Sequence, residues 1–147
     1  MSYNQALSAY RETRVRTASP GSLVVMLYDE AIKRIGLAIT VYDEDLAKNP
    51  AKIETFNAHI MKSQEIITEL MTSLNMDAGG EIAKNLLSLY TWFNQQLLEG
   101  NIEKNKDKLA SVKDLMEQLR SAWIEVANTA STPSSTQSTP AGINIAG

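Results

Sequence analysis

The chain has 147 residues, of which 44% are hydrophobic, so it is long enough for one domain with a substantial core. Its formal net charge of −3 argues against a nucleic-acid partner, because binding to phosphate groups requires an excess of Lys and Arg. The sequence lacks cysteine, a membrane-length apolar run and a recognisable signal peptide, so we expect a cytoplasmic protein without disulfides, thiolate metal sites or membrane insertion.

The N-terminal segment, residues 1–18, carries one short apolar stripe formed by Tyr3, Leu7 and Tyr10. The spacing of these residues predicts a short amphipathic helix. Because a helix of this length is not stable alone, we expect the segment to dock on the rest of the protein. A frayed terminus with chance spacing is the alternative.

The first long helix is predicted from Pro20 to about Ala47. Ser19 is a suitable N-cap, and proline is favoured at the first helical position. The apolar residues form two rows at helical spacing, and together they make a face wide enough to contact several neighbouring helices. The first row is Val24, Tyr28, Ala31, Ile35, Ala38 and Tyr42, and the second is Val25, Ile32, Ile39 and Leu46.

Three more amphipathic helices are predicted, each with apolar residues at steps of three and four. The second begins after Asn49 with Pro50, and its row is Ile53, Phe56, Ile60, Ser63, Ile67, Leu70 and Leu74. After a turn at 75–80, the third helix has the row Ile82, Leu86, Leu89, Tyr90, Phe93 and Leu97, and Gly100 is predicted to end it. Asn101 or Asn105 is expected to cap the fourth helix, whose row is Leu109, Val112, Met116, Leu119, Trp123 and Val126.

Four such helices joined by short loops predict an all-α fold, an antiparallel up-down four-helix bundle over residues 19–128. Residues 129–147 differ in composition, because they are rich in Ser, Thr and Pro and carry no charged side chain. They are predicted to form a disordered tail. Within this tail, Ile143 and Ile145 form a possible short docking motif.

The sequence contains no recognisable catalytic or metal-binding set. A dimetal site in a helical bundle requires a Glu-x-x-His pair on each of two helices, and His59 is the one histidine of the chain. The sequence also has no glycine-rich phosphate loop. We therefore expect neither an enzyme nor a cofactor.

His59 nevertheless supports one alternative function. The stretch FNAHIMKSQ resembles the His-x-x-Lys-Gly motif of histidine phosphotransfer bundles, with matches at His59 and Lys62. Ser63 stands where that motif has glycine. The competing interpretation is a histidine on a helix surface with no phosphotransfer role.

The stretch TASPGSLVVMLYDEAI, which opens the first long helix, resembles the signature of the bacterial flagellar secretion chaperones. Their pattern reads TASP, a few residues, and then MLYDGA. Glu30 replaces the usual glycine of this pattern, and Gly21 stands where a glutamate is common. The resemblance covers roughly residues 3–127 in length, order and helix pattern.

This resemblance implies a function as an export chaperone for flagellin. The implied partners are the C-terminal helical segment of flagellin and the flagellar export apparatus, and a homodimer is possible. The client would lie in an apolar groove that hides its sticky stripe until export. The residues expected to contact it are Leu7, Tyr10, Val15, Leu23, Leu27, Tyr28 and Ile32.

Overall fold

The computed structural model describes residues 20–130, and these residues form four long helices and one short 3-10 turn. Helix α1 spans Pro20–Asp43, α2 spans Pro50–Thr72, α3 spans Met76–Glu103 and α4 spans Lys106–Ala130, with the 3-10 turn Leu46–Lys48 between α1 and α2. The predicted all-α bundle is therefore confirmed. The predictions for the N-terminal segment and the tail lie outside the described residues.

The first helix ends at Asp43, four residues before the predicted end at Ala47. Asp45 has φ of 67°, a left-handed conformation that an α-helix does not continue through. The following 3-10 turn buries Leu46. Leu46 therefore does reach the core, but from a connecting turn instead of from the second row of α1.

Helix α3 begins earlier than the sequence indicated. The side-chain oxygen of Asn75 accepts a hydrogen bond from the backbone N–H of Ala78 at 3.0 Å, which caps a helix that starts at Met76. Most of the predicted turn at 75–80 is therefore the first turn of the helix. Gly80 has φ of 56° and kinks the helix at that point.

Gly100 was predicted to end α3, and this prediction is wrong. It is buried within the helix, and a Cβ atom added there would lie 2.9 Å from Cδ2 of Leu109. Glycine is needed at this position because α4 approaches closely. The helix instead ends at Glu103, and the residue that follows it, Lys104, has φ of 53°. Asn105 caps α4 by accepting a hydrogen bond from the N–H of Asp107 at 3.0 Å.

The core is built mainly from the predicted rows, and Trp123 is a buried core residue as expected. Buried Ser63 donates its hydroxyl to the carbonyl of His59 at 3.0 Å, which satisfies its polar group. One row residue, Ile82, is an exception because it is 43% exposed. Of the two diagonal helices, α1 packs more extensively against α2 and α4 than α3 does. The outer side of α3 is thus less involved in contacts between the helices than that of α1.

Candidate functional site

The four described residues of the predicted client-binding set do not come together on one open surface. Leu27 and Tyr28 are buried in the core. Leu23 and Ile32 are half-buried, and nine residues of α-helix place them on opposite flanks of α1. Leu7, Tyr10 and Val15 lie outside the described residues. Their roles in binding remain predictions.

Tyr28 has a clear structural role, because its hydroxyl group meets that of Tyr90 across the bundle at 2.7 Å. Both rings are buried, and they meet edge to face. Burial raises the pKa of Tyr28 to about 12, while the hydrogen bonds to Tyr90 and Trp123 lower it to a smaller extent. Burial likewise raises the pKa of Tyr90. This neutral pair fixes α1 against the diagonal helix α3.

The two acidic residues that follow Tyr28 also make contacts within the bundle. Asp29 forms an ion pair with Arg120 of α4. Glu30, which replaces the usual glycine, pairs with Arg34 one turn further along α1 at 3.2 Å. The LYDE stretch therefore holds α1 in place through the core and through its surface charges.

His59 lies on α2 and is half-buried. Its Nδ1 atom is buried and has no hydrogen-bond partner among residues 20–130. Burial lowers the pKa of the imidazole, and the positive charges of Arg34 and Lys62 lower it further. Burial of Nδ1 leaves Nε2 as the ring nitrogen that a partner protein would have to reach, and no feature of the described residues around His59 supports the phosphotransfer alternative.

Among residues 20–130, one apolar surface runs along the seam between α3 and α4. Trp92 and Ile82 on α3 are 38% and 43% exposed. Their neighbours on this seam are half-buried and pack against the core from its edge. We call this surface the α3–α4 strip, and it consists of Ile82, Leu89 and Trp92 on α3 and Leu115, Leu119 and Val126 on α4.

The register of the two helices aligns these six residues. Lys108 of α4 pairs with Glu99 of α3 at 2.6 Å, and Leu109 lies against Gly100. Since the helices run antiparallel, the same register places Leu115 near Trp92, Leu119 opposite Leu89 and Val126 opposite Ile82. The strip therefore extends over about 15 Å, which is ten residues of helix at 1.5 Å each.

Charge is absent from the middle of this strip. On α3, no charged residue occurs from Asn85 to Leu98. On α4, the outer edge of the strip is lined by uncharged side chains, which are Ser111, Gln118 and Ala122. The ion pair between Lys108 and Glu99 closes one end. A solvated helix face normally carries charges along its length, so this surface suits a partner with an apolar stripe.

A second exposed apolar group lies on the other side of α3, at its seam with α2. It contains Met61, Leu98 and Ile102, which are 58%, 50% and 71% exposed. A hydrogen bond from Gln64 to the carbonyl of Asn94 at 3.2 Å fixes this seam. The adjoining surface of α2 is acidic, because a groove of about 630 Å³ there is lined by Met61, Gln64, Glu65, Thr68, Glu69 and Thr72. The side chains of this group are more exposed than those of the α3–α4 strip, but their surroundings are more polar.

Within residues 20–130, no three His, Asp or Glu side chains gather as a metal site would require. None of the four helices has the length and apolar character needed to cross a membrane.

Periodicity alone missed Trp92, since the residue falls between the core positions Tyr90 and Phe93. The signal that could have found it is the uncharged run of fourteen residues from Asn85 to Leu98. The apolar row in that run is explained by the core, which the inward half of α3 faces. The core does not explain why the outward half carries a tryptophan and lacks Lys and Glu.

Comparison with known proteins finds the same family over most of the chain. A family model described as flagellar protein FliS matches residues 3–130. The flagellar secretion chaperone FliS of Bacillus subtilis is 31% identical over 123 residues, which are 84% of this chain and 86% of that protein. The corresponding protein of Campylobacter jejuni is 32% identical over 129 residues, 87% of this chain and 95% of that protein, and that of Vibrio cholerae is 29% identical over 125 residues, 82% and 88% respectively.

Proposed function

Because the chain belongs to the flagellar protein FliS family, we propose that it is a cytoplasmic export chaperone that binds the C-terminal helical segment of flagellin. Binding prevents premature polymerisation of flagellin and delivers it to the flagellar export apparatus. The observation that supports this proposal, beside the family, is the α3–α4 strip. It offers an apolar surface of helical length to a client whose own apolar stripe must be hidden from water.

The strip suits the mode of binding in which an amphipathic helix lays its apolar face into a groove. Such a helix presents anchors at i, i+3 or i+4, and i+7. Ile82, Leu89 and Trp92 repeat at seven and three residues, a spacing that matches the anchors of a client helix lying along the seam. Since α3 packs less extensively than α1, small shifts of α3 can adapt the strip while the signature helix stays in place.

Trp92 is the side chain whose loss should be most visible. Tryptophan is enriched among the residues that dominate binding energy at interfaces, where truncation to alanine typically costs about 2 kcal/mol or more. A loss of that size corresponds to about a thirtyfold increase in the dissociation constant. Because Trp92 is 38% exposed and lies outside the core, its replacement should leave the bundle folded.

The experiment compares Trp92→Ala with Met61→Ala in titration calorimetry against the C-terminal segment of flagellin. Met61 is the matched control, because it is also large, apolar and exposed but lies on the seam between α2 and α3. We expect the unmodified protein to bind with a negative heat-capacity change, Trp92→Ala to bind at least tenfold more weakly, and Met61→Ala to bind normally. Absence of binding by the unmodified protein would refute the proposed function. If Trp92→Ala and Met61→Ala bound the segment equally well, the α3–α4 strip would not be the client-binding surface.

A homodimer formed through the same strip would compete with the client. Sedimentation of the free protein, followed by sedimentation with the flagellin segment added, distinguishes the two uses of this surface. For Leu7, Tyr10 and Val15, contributions to client binding remain part of the proposal on the family resemblance alone.

A further inference from the structure

We propose that the chain's own residues 143–146, Ile-Asn-Ile-Ala, dock on the α3–α4 strip and compete there with the client. The competition rests on the proposed function, whereas the docking does not. In the absence of client, the tail would shield part of the strip from water and from unrelated apolar partners. A client with a full helical stripe would displace it.

The first support is the place where the chain leaves the bundle. Helix α4 runs to Ala130, one helical turn beyond Val126. Val126 is the last α4 residue of the strip and lies opposite Ile82 in the helix register. The residues that follow α4 therefore start at one end of the apolar surface that lacks a cover among residues 20–130.

The second support is length. Twelve residues, 131–142, separate α4 from Ile143. An extended chain of twelve residues spans up to about 40 Å at 3.3 Å or more per residue. The strip is only about 15 Å long. Ile143 and Ile145 can therefore reach every part of it, including Trp92 at the far end.

The third support is chemical match. Residues 131–147 contain no charged side chain, and the middle of the strip contains none either. Ile143 and Ile145 are two residues apart, so they point to the same side of an extended segment. The N-terminal segment is the competing occupant from this chain, because its stripe Tyr3, Leu7 and Tyr10 is also uncharged. It differs from the tail in that Arg11, Arg14 and Arg16 follow the stripe directly, and the middle of the strip offers no carboxylate to them.

Tethering makes even weak docking effective. A short flexible linker gives an effective concentration on the order of millimolar, so a motif with a dissociation constant in that range occupies the strip about half of the time. Competition then raises the apparent dissociation constant of the client by a factor of about two, and by more if the motif binds more tightly. A chaperone thereby releases its client more readily without any change in the binding surface.

The test uses the full chain with Ile143→Ser and Ile145→Ser together. The matched control is Thr132→Ser with Thr136→Ser, which changes the same tail outside the motif. The first readout is the indole N–H resonance of Trp92 in NMR spectra, assigned with a Trp92→Phe variant. We expect this resonance to shift in the Ile-to-Ser variant and to stay in place in the control.

The second readout is titration with the flagellin segment, for which we expect the Ile-to-Ser variant to bind two- to tenfold more tightly than the control. An unmoved Trp92 resonance would overturn the docking, whatever the titration shows. A shifted resonance with unchanged client affinity would overturn the competition. If no version binds flagellin, the proposed function fails while the resonance still decides whether the tail docks.

Discussion

Removing the hydroxyl group of Tyr28 should destabilise the bundle without weakening client binding. The two tyrosine hydroxyls are 2.7 Å apart, and both rings are buried. Tyr28→Phe keeps the ring but leaves the hydroxyl of Tyr90 without its tyrosine partner. A buried polar group that loses its partner costs about 1–3 kcal/mol, and we expect a decrease of about 1–2 kcal/mol in the free energy of unfolding because the Trp123 indole still interacts with Tyr90.

Urea unfolding of four proteins measures this effect: the unmodified chain, Tyr28→Phe, Tyr90→Phe and the double variant. With a slope of about 1–3 kcal/mol per molar urea, each single variant should unfold at a midpoint lower by about 0.3–2 M. The free energy of unfolding of the double variant should fall by less than the sum of the decreases in the two single variants, since the double variant leaves neither hydroxyl group unpaired. Purely additive losses would refute the reasoning. A tenfold loss of flagellin binding in Tyr28→Phe would return this residue to the client-binding surface.

Two further predictions concern pH and glycine. The folded-state pKa of Tyr28 is raised from 10 to about 12, so its contribution to the free energy of unfolding is complete below pH 10 and is lost as the pH rises towards 12. Alkaline unfolding should therefore begin near pH 10 in the unmodified protein and at a higher pH in the double Phe variant. Identical alkaline unfolding curves for the two proteins would contradict this prediction. Gly100→Val should lower the free energy of unfolding by about 1–3 kcal/mol, because a Cβ atom meets Leu109 at 2.9 Å. Gly36→Ala is the control and should raise the free energy of unfolding by up to about 1 kcal/mol, since the added Cβ lies at an ordinary 3.5 Å from Lys113. If Gly36→Ala destabilised the bundle more than Gly100→Val, close packing would not explain Gly100.

The helices and most of the core were predictable from the sequence because periodicity reports directly which side of a helix is apolar. The ends of the helices were less predictable. Gly100 looks like a terminator in the sequence, but its reason is the approach of Leu109, a residue that only the folded bundle brings close. Leu46 continues the second row of α1 in spacing, yet it enters the core after the chain has turned at Asp45.

The candidate site was harder to predict, for a different physical reason. A core residue and a binding residue can have the same type and spacing, so periodicity placed Tyr28 on the apolar side of α1 without deciding between a core role and a client-binding role. The structure places its ring in the core. Trp92 was missed because it is off the row, and only the missing charges of α3 mark its surroundings as unusual.

The two diagonal helices therefore differ in role, because α1 contributes mainly to the stability of the bundle and α3 carries the candidate binding surface. Helix α1 carries the recognisable signature, and the Tyr28–Tyr90 hydrogen bond and the Asp29–Arg120 ion pair use that signature to hold the bundle together. Substitutions there should change stability first and binding second. Helix α3 packs less extensively and carries no charged residue from Asn85 to Leu98, so substitutions at Trp92 or Ile82 should cost little in folding and should alter binding. The proposed client binding should therefore respond more to substitutions along α3 than to substitutions in the signature of α1.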